Sequence, residues 1–159
     1  MRRRFTVWIV LAACVVAVDQ ATKWAITGVL RAGEVRAVLP NFNLVLTFNP
    51  GAAFSFLSDA AGWQRPLFIG VAILASVIIT ALLWRGRGKS VFCAGLALIL
   101  GGALGNLWDR IDSGYVVDFL DFHAFGYHWP AFNAADSAIT LGAALLILDG
   151  FRGGKERGG

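Results

Sequence analysis

The chain has 159 residues, of which 57% are apolar and only 15% charged, with a mean hydropathy of +0.66. A water-soluble domain carries about a quarter charged residues, so this composition excludes an ordinary soluble fold and indicates one compact membrane unit. The net charge of +4 is not a nucleic-acid footprint, because nine of the fourteen Lys and Arg fall in three short clusters against apolar runs: Arg2-Arg3-Arg4; Arg85, Arg87 and Lys89; Arg152, Lys155 and Arg157.

The first span is predicted over about residues 5–24. Its basic start and the run Leu11-Ala12-Ala13-Cys14 resemble a secretory signal with a lipoprotein cleavage box. Val15 to Val18 remain apolar, however, so the run reaches spanning length and is expected to be retained. Asp19 and Lys23 are four apart with the acid first, which predicts an ion pair on one helix face near the outer end.

Residues 25–65 form an outer segment. Strand-like runs cover 35–39 and 42–48, separated by Pro40-Asn41, and Asn49-Pro50-Gly51 is a turn signal. Ser58 is placed to cap a short surface helix over 59–64. Strand edges at a membrane surface need partners, so a small sheet resting on the outer leaflet is expected.

The second span is predicted over 66–84, with Pro66 tolerated in a first helical turn, and a tight basic loop follows at 85–89. The third covers 90–108, where Gly101 and Gly105 form a small-xxx-small pair that admits a close neighbour. A second outer segment, 109–130, contains the β-type run Tyr115-Val116-Val117, and the fourth span covers 131–148. All six tryptophans (Trp8, Trp24, Trp63, Trp84, Trp108, Trp129) lie at or beside these boundaries, as in an aromatic belt. Cys14 and Cys93 sit inside apolar runs and read as packing residues, not as a disulfide or metal pair.

The expected architecture is therefore α-helical and membrane-embedded: a single domain over 1–159, with four transmembrane helices, a small extracytoplasmic sheet and a short surface helix. The basic clusters place both termini and the 85–89 loop in the cytoplasm. Asp19, Asn49, Asn106, Asp109, Arg110, Asp118, Asn133 and Asp136 then converge near the outer interface. No internal repeat is found, which argues against an inverted-repeat transporter.

Five of the ten acids, Asp109, Asp112, Asp118, Asp121 and Asp136, lie between residues 101 and 140. A carboxylate at the edge of a span is costly and points to function. There is no HExxH zinc motif and no GxSxG elbow, and His123 and His128 read as hydrogen-bonded surface residues. Asp118 and Asp136, brought together, would form an acid/base pair: one proton is retained between two carboxylates, and the ionised partner activates water. The same spacing also fits loop acids that cap helices or pair with Arg110. Asp109 and Arg110 are placed for a local ion pair, and Asn106 and Asn133 either orient a carboxylate or satisfy helix ends. A proton- or ion-conducting protein and a scaffold held by glycine-rich helix contacts remain as alternatives. A relay would spread its acids through the membrane, whereas these cluster at one depth.

In combination, five motifs resemble the lipoprotein signal peptidases, or signal peptidase II. They are Asp19-Gln20-Ala21-Thr22-Lys23; Asn49-Pro50-Gly51-Ala52-Ala53-Phe54; the run from Gly101 to Arg110; Val116-Val117-Asp118-Phe119; and Phe132-Asn133-Ala134-Ala135-Asp136. The likeness covers nearly the whole chain. It implies a membrane aspartic endopeptidase of the bacterial cytoplasmic membrane that needs no metal or cofactor. Its substrates would be prolipoproteins, cut on the amino side of a diacylglyceryl-modified cysteine, with membrane lipid as the other partner and no nucleic acid. Asp118 and Asp136 would be the catalytic pair. Asn49, Gly51, Asn106, Asp109, Arg110 and Asn133 would shape and support the site, and Asp19 and Lys23 would anchor the outer sheet to the first helix. Phe48, Phe54, Phe56, Phe119 and Phe122 would supply apolar surface around it.

Overall fold

A computed structural model describes residues 2–51, 63–85 and 90–155. Helix α1 spans Arg2–Val29, and strands β1 (Val35–Leu39) and β2 (Phe42–Asn49) follow. Then come α2 (Gln64–Arg85), α3 (Ser90–Asp112), β3 (Val116–Ala124), β4 (Tyr127–His128) and α4 (Ala134–Lys155). Four of the described helices are long and apolar enough to cross a membrane. At 1.5 Å per residue, each reaches across a hydrocarbon layer of about 30 Å.

Helix α3 runs through the middle of the bundle, and its glycines explain how its neighbours come so close. Lipid offers no hydrophobic drive for helices to associate, so they must gain it from tight packing. A Cβ on Gly101 would meet Val15 Cβ at 2.6 Å, and one on Gly105 would meet Asp19 Oδ2 at 2.6 Å. Gly95 and Gly142 oppose each other across the α3–α4 seam, each Cβ position lying 2.8 or 2.6 Å from the other's carbonyl oxygen. Gly102 is pressed against the Ala135 carbonyl. The seam is thus wider than the Gly101/Gly105 pair. Because backbone cannot yield as a flexible side chain can, Gly102→Ala should cost about 1–3 kcal/mol, read as a lower melting temperature in detergent. An unchanged melting temperature would refute this close approach.

The inner core gathers Ala12, Ile79, Leu83, Cys93, Leu96 and Leu100. Cys93 packs as expected, whereas Cys14 lies exposed on α1. At the other end of the bundle, an antiparallel sheet in the order β1-β2-β3-β4 rests on α1, with Leu46 and Phe119 packed against Ile26 and Leu30. Both expected strand runs form, and β2 pairs with β3 so that Thr47 faces Asp118 and Asn49 faces Val116. The strand expected at 115–117 extends to Ala124, and β4 was not anticipated.

Two helix boundaries move in ways that bear on the site. Helix α3 continues past Trp108 to Asp112, so Asp109 and Arg110 are helical. It ends where Gly114, at φ 87°, donates its N–H to the Asp109 carbonyl at 3.2 Å. That left-handed residue reverses the chain and sends β3 back across the bundle end. Helix α4 starts at Ala134, later than residue 131, because Phe132 is held extended in a bridge with Leu120. Of the short helix expected over 59–64, residues 59–62 lie outside the described residues and Gln64 opens α2.

Candidate active site

The start of α4 builds half of the site. Asn133 occupies the N-cap: its Oδ1 accepts the Asp136 N–H at 2.9 Å, and the Asn133 N–H reaches back to Asp136 Oδ2 at 3.4 Å. This reciprocal capping box satisfies two orphan donors of the helix end. A third, the Ala135 N–H, is taken by Asp19 Oδ1 at 2.9 Å. The capping alternative is therefore true of Asp136, and it fixes the carboxyl at the helix N-terminus, where negative charge is favoured.

Asn133 also links this end to the sheet. Its Nδ2 donates to Asp118 Oδ1 at 2.7 Å and to the Val117 carbonyl at 3.2 Å. Asn49 Nδ2 donates to Asp118 Oδ2 at 3.1 Å, and Asn49 Oδ1 accepts the Gly51 N–H at 2.9 Å across the turn. On the opposite side, Asn106 Nδ2 donates to Asp136 Oδ1 at 2.7 Å. Three asparagines therefore hold the two carboxyls. Burial, and then the charge of Asp136, push the Asp118 carboxyl up to about 7, against the opposing pull of the Asn49 and Asn133 amides and Lys23.

Behind the asparagines lies a buried charge cluster. Lys23 Nζ pairs with Asp19 Oδ2 at 2.8 Å and with Asp109 Oδ2 at 2.7 Å, and donates to Asn106 Oδ1 at 3.0 Å. Because an ammonium only donates, it fixes the oxygen end of the Asn106 amide and turns the nitrogen end toward Asp136. The Asp19–Lys23 pair thus joins α1 to α3 and α4. It reaches the sheet through Asp109, which accepts the Val117 N–H at 3.3 Å, and through Asn106, whose Oδ1 also accepts from Asn133 Nδ2 at 3.2 Å. Gln20, unassigned from sequence, donates to Asp109 Oδ1 at 2.8 Å and completes this cluster.

Arg110 does not pair with Asp109, nor is it ion-paired with Asp118 or Asp136 among the described residues. Its Nη2 donates to the Gly51 carbonyl at 2.8 Å and its Nη1 to the Asn106 carbonyl at 3.2 Å, while the guanidinium lies 5.3 Å from the Phe68 ring centroid. Arg110 therefore pins the Asn49-Pro50-Gly51 turn, which in turn aims Asn49 at Asp118.

Asp118 and Asp136 share one cavity of about 840 Å³, together with Asn49, Asn106 and Arg110. Its walls are apolar: Phe68, Val71 and Ala75 from α2 face Ile139, Leu141 and Ala144 from α4, and Trp129 and Phe132 form a rim. Among the described residues, Phe48, Phe119 and Phe122, expected from sequence to surround the site, do not line the cavity. Phe119 is buried beneath the sheet, Phe48 packs on Tyr115 with centroids 4.5 Å apart, and Phe122 lies between Phe42 and Phe132. Phe54 and Phe56 lie outside the described residues. The position of Trp129 next to Pro130, just before the fourth apolar run, was the available signal for the rim.

A buried carboxyl pair, one member holding a proton near neutrality, at the polar end of a lipid-sized apolar cavity can activate water against a carbonyl without any other group. A family model described as Signal peptidase (SPase) II matches residues 11–152. The chain is 53% identical over 145 residues to the lipoprotein signal peptidase of Paraburkholderia phymatum, covering 91% of this chain and 87% of that one. Its identity to the lipoprotein signal peptidase of Ralstonia nicotianae is 54% over 145 residues, 91% of this chain and 84% of that one. A bacterial membrane enzyme solved by the in meso method at 2.3 Å superposes with a TM-score of 0.86 at 31% identity, covering 96% of this chain and 92% of that one. By family model, by sequence identity and by fold, this chain belongs to the signal peptidase II family.

Proposed function

We propose that this peptidase is of the aspartic type, with Asp118 and Asp136 as its catalytic pair. Its substrates are prolipoproteins already carrying a diacylglyceryl group on cysteine, cut on the amino side of that residue. The observation that carries this reading is the union of the two carboxyls at the polar end of a cavity whose walls are apolar. Acyl chains can stay among side chains of lipid-like character while the peptide bond reaches the carboxyls, which fixes the height of the scissile carbonyl.

The chemistry then runs without a metal. Asp118 begins protonated and Asp136 ionised. Asp136 takes a proton from water as the water oxygen bonds to the scissile carbonyl carbon, and Asp118 gives its proton to the carbonyl oxygen. Collapse of the tetrahedral species breaks the C–N bond, with the proton on Asp136 passing to the leaving amine and Asp118 recovering its own. Asn49, Asn106 and Asn133 keep the carboxyls aimed, Arg110 and Gly51 hold the turn that carries Asn49, and Asp19, Lys23 and Asp109 hold the helices behind them.

Purified protein should cleave a diacylated prolipoprotein and leave its unacylated form intact; equal cleavage of both would sink the substrate assignment. Activity should fall as pH rises through about 7, since Asp118 then loses the proton that the reaction needs. The same group works on stability in the same direction. Its pKa is raised above the ordinary carboxylate value on folding, so its contribution is complete in acid and is lost as pH rises through about 7.

The enzyme lies in the bacterial cytoplasmic membrane as one domain, with both termini inside and the dyad near the outer face. Reporter fusions after residues 87 and 159 should read cytoplasmic, and those near residues 60 and 126 external. An external C-terminus would overturn this topology.

A further inference from the structure

The hairpin formed by β3 and β4 carries a side-chain cluster that the peptidase chemistry does not use. His123 and His128 face each other across the two strands. The Trp129 N–H donates to the Phe122 carbonyl at 2.7 Å, which makes the histidines a non-hydrogen-bonded pair, the type whose side chains lie closest. Their rings are stacked, with centroids 4.8 Å apart and planes inclined by 21°.

The His128 ring is also oriented from behind. Its Nδ1 lies 2.9 and 3.0 Å from the two Asp121 carboxylate oxygens. Asp121 is buried, and its Oδ2 accepts from Asn43 Nδ2 at 2.8 Å. With Nδ1–H donating to the Asp121 carboxyl, Nε2 is left with its lone pair. This is the arrangement that metal-binding histidines show: one ring nitrogen donates to a carboxylate and the other binds the ion. The His128 side chain is 56% exposed, so the ring is open to solvent.

We propose that His123 and His128 form a solvent-facing site for a first-row transition-metal cation of the Zn²⁺ or Cu²⁺ class, with Asp121 as the orienting carboxylate. Imidazole nitrogen suits these ions. Rotation of the His123 ring about χ2, a broad torsion for histidine, brings one of its nitrogens toward the ion that His128 Nε2 holds, while His128 keeps its bond to Asp121. Among the described residues, no group of three or more His, Cys, Asp or Glu is placed to hold a metal, so water completes the coordination sphere. Binding is therefore exchangeable, and the site is separate from the aspartate pair. The ion clasps the two-residue β4 to β3. The next residues in the chain include Trp129 and Phe132, which rim the cavity, so the clasp braces that rim.

Tag-free protein in detergent, titrated with Cu²⁺, should take up one saturable equivalent with nitrogen hyperfine structure in its EPR spectrum. Either His123→Gln or the double variant His123→Gln/His128→Gln should lose that equivalent. Asp121→Asn should keep it but weaken affinity by about 10–100-fold, the usual effect of removing an orienting partner. Thermal unfolding in EDTA checks that each variant is folded. His123→Gln keeps the test valid if the double variant is not, because the His123 side chain makes no hydrogen bond among the described residues. Absence of a saturable equivalent in the wild type, or its survival in folded His123→Gln, would overturn the site.

Discussion

Changing either dyad carboxyl to its amide, Asp118→Asn or Asp136→Asn, should lower turnover of a diacylated substrate by roughly 10²- to 10⁴-fold. Shape is preserved in both. Asn at position 118 keeps an oxygen for one of the two amides, Asn49 or Asn133, that now meet separate oxygens, and Asn at position 136 keeps an oxygen for Asn106. Folding and peptide binding should therefore change little, so the loss falls on the chemical step. The double variant should be scarcely worse than either single one, because groups that act as a unit are non-additive. Asp112→Asn is the control: its carboxylate accepts from Ser113 on an exposed surface and is outside the cavity lining. Near-normal cleavage by either dyad variant would end the aspartic mechanism.

Lys23→Ala should produce the largest loss of stability, about 3–5 kcal/mol, because it leaves buried carboxylates uncompensated. The Lys23 side chain is 4% exposed, and its partners Asp19 and Asp109 are 0% and 8% exposed. The damage has a second part. Without the ammonium, the oxygen end of Asn106 keeps only the longer bond from Asn133 Nδ2 at 3.2 Å, so its amide is held less firmly toward Asp136. Thermal unfolding in detergent should show the loss directly. A variant of wild-type stability with no turnover would move Lys23 from the framework into the chemistry.

The spans were readable because lipid makes apolar composition obligatory and because tryptophans gather at the boundaries. Helix ends were less readable: hydropathy stops at Trp108, yet α3 continues until Gly114 can turn the chain. That extension also explains the misread partner of Arg110. Adjacent residues on a helix do not face each other, so Asp109 turns to Lys23 while Arg110 reaches Gly51. The aspartates stood out because acids are rare in such a chain. Their union did not, since it depends on the β2–β3 register and on one asparagine that belongs to both halves. Phe119 leaves the lining for a simpler reason. Successive strand residues point to opposite faces, so Phe119 cannot share the face of Asp118.

The cavity between α2 and α4 has a consequence for how rates are to be measured. Its long apolar walls suit a molecule that arrives from within the bilayer, so encounter is a search in two dimensions. The relevant concentration is then moles of substrate per mole of lipid, and bulk molarity is the wrong axis. Adding empty micelles or vesicles at constant total enzyme and substrate should slow the reaction by surface dilution alone. A KM reported without the detergent or lipid present would describe the mixture more than the enzyme.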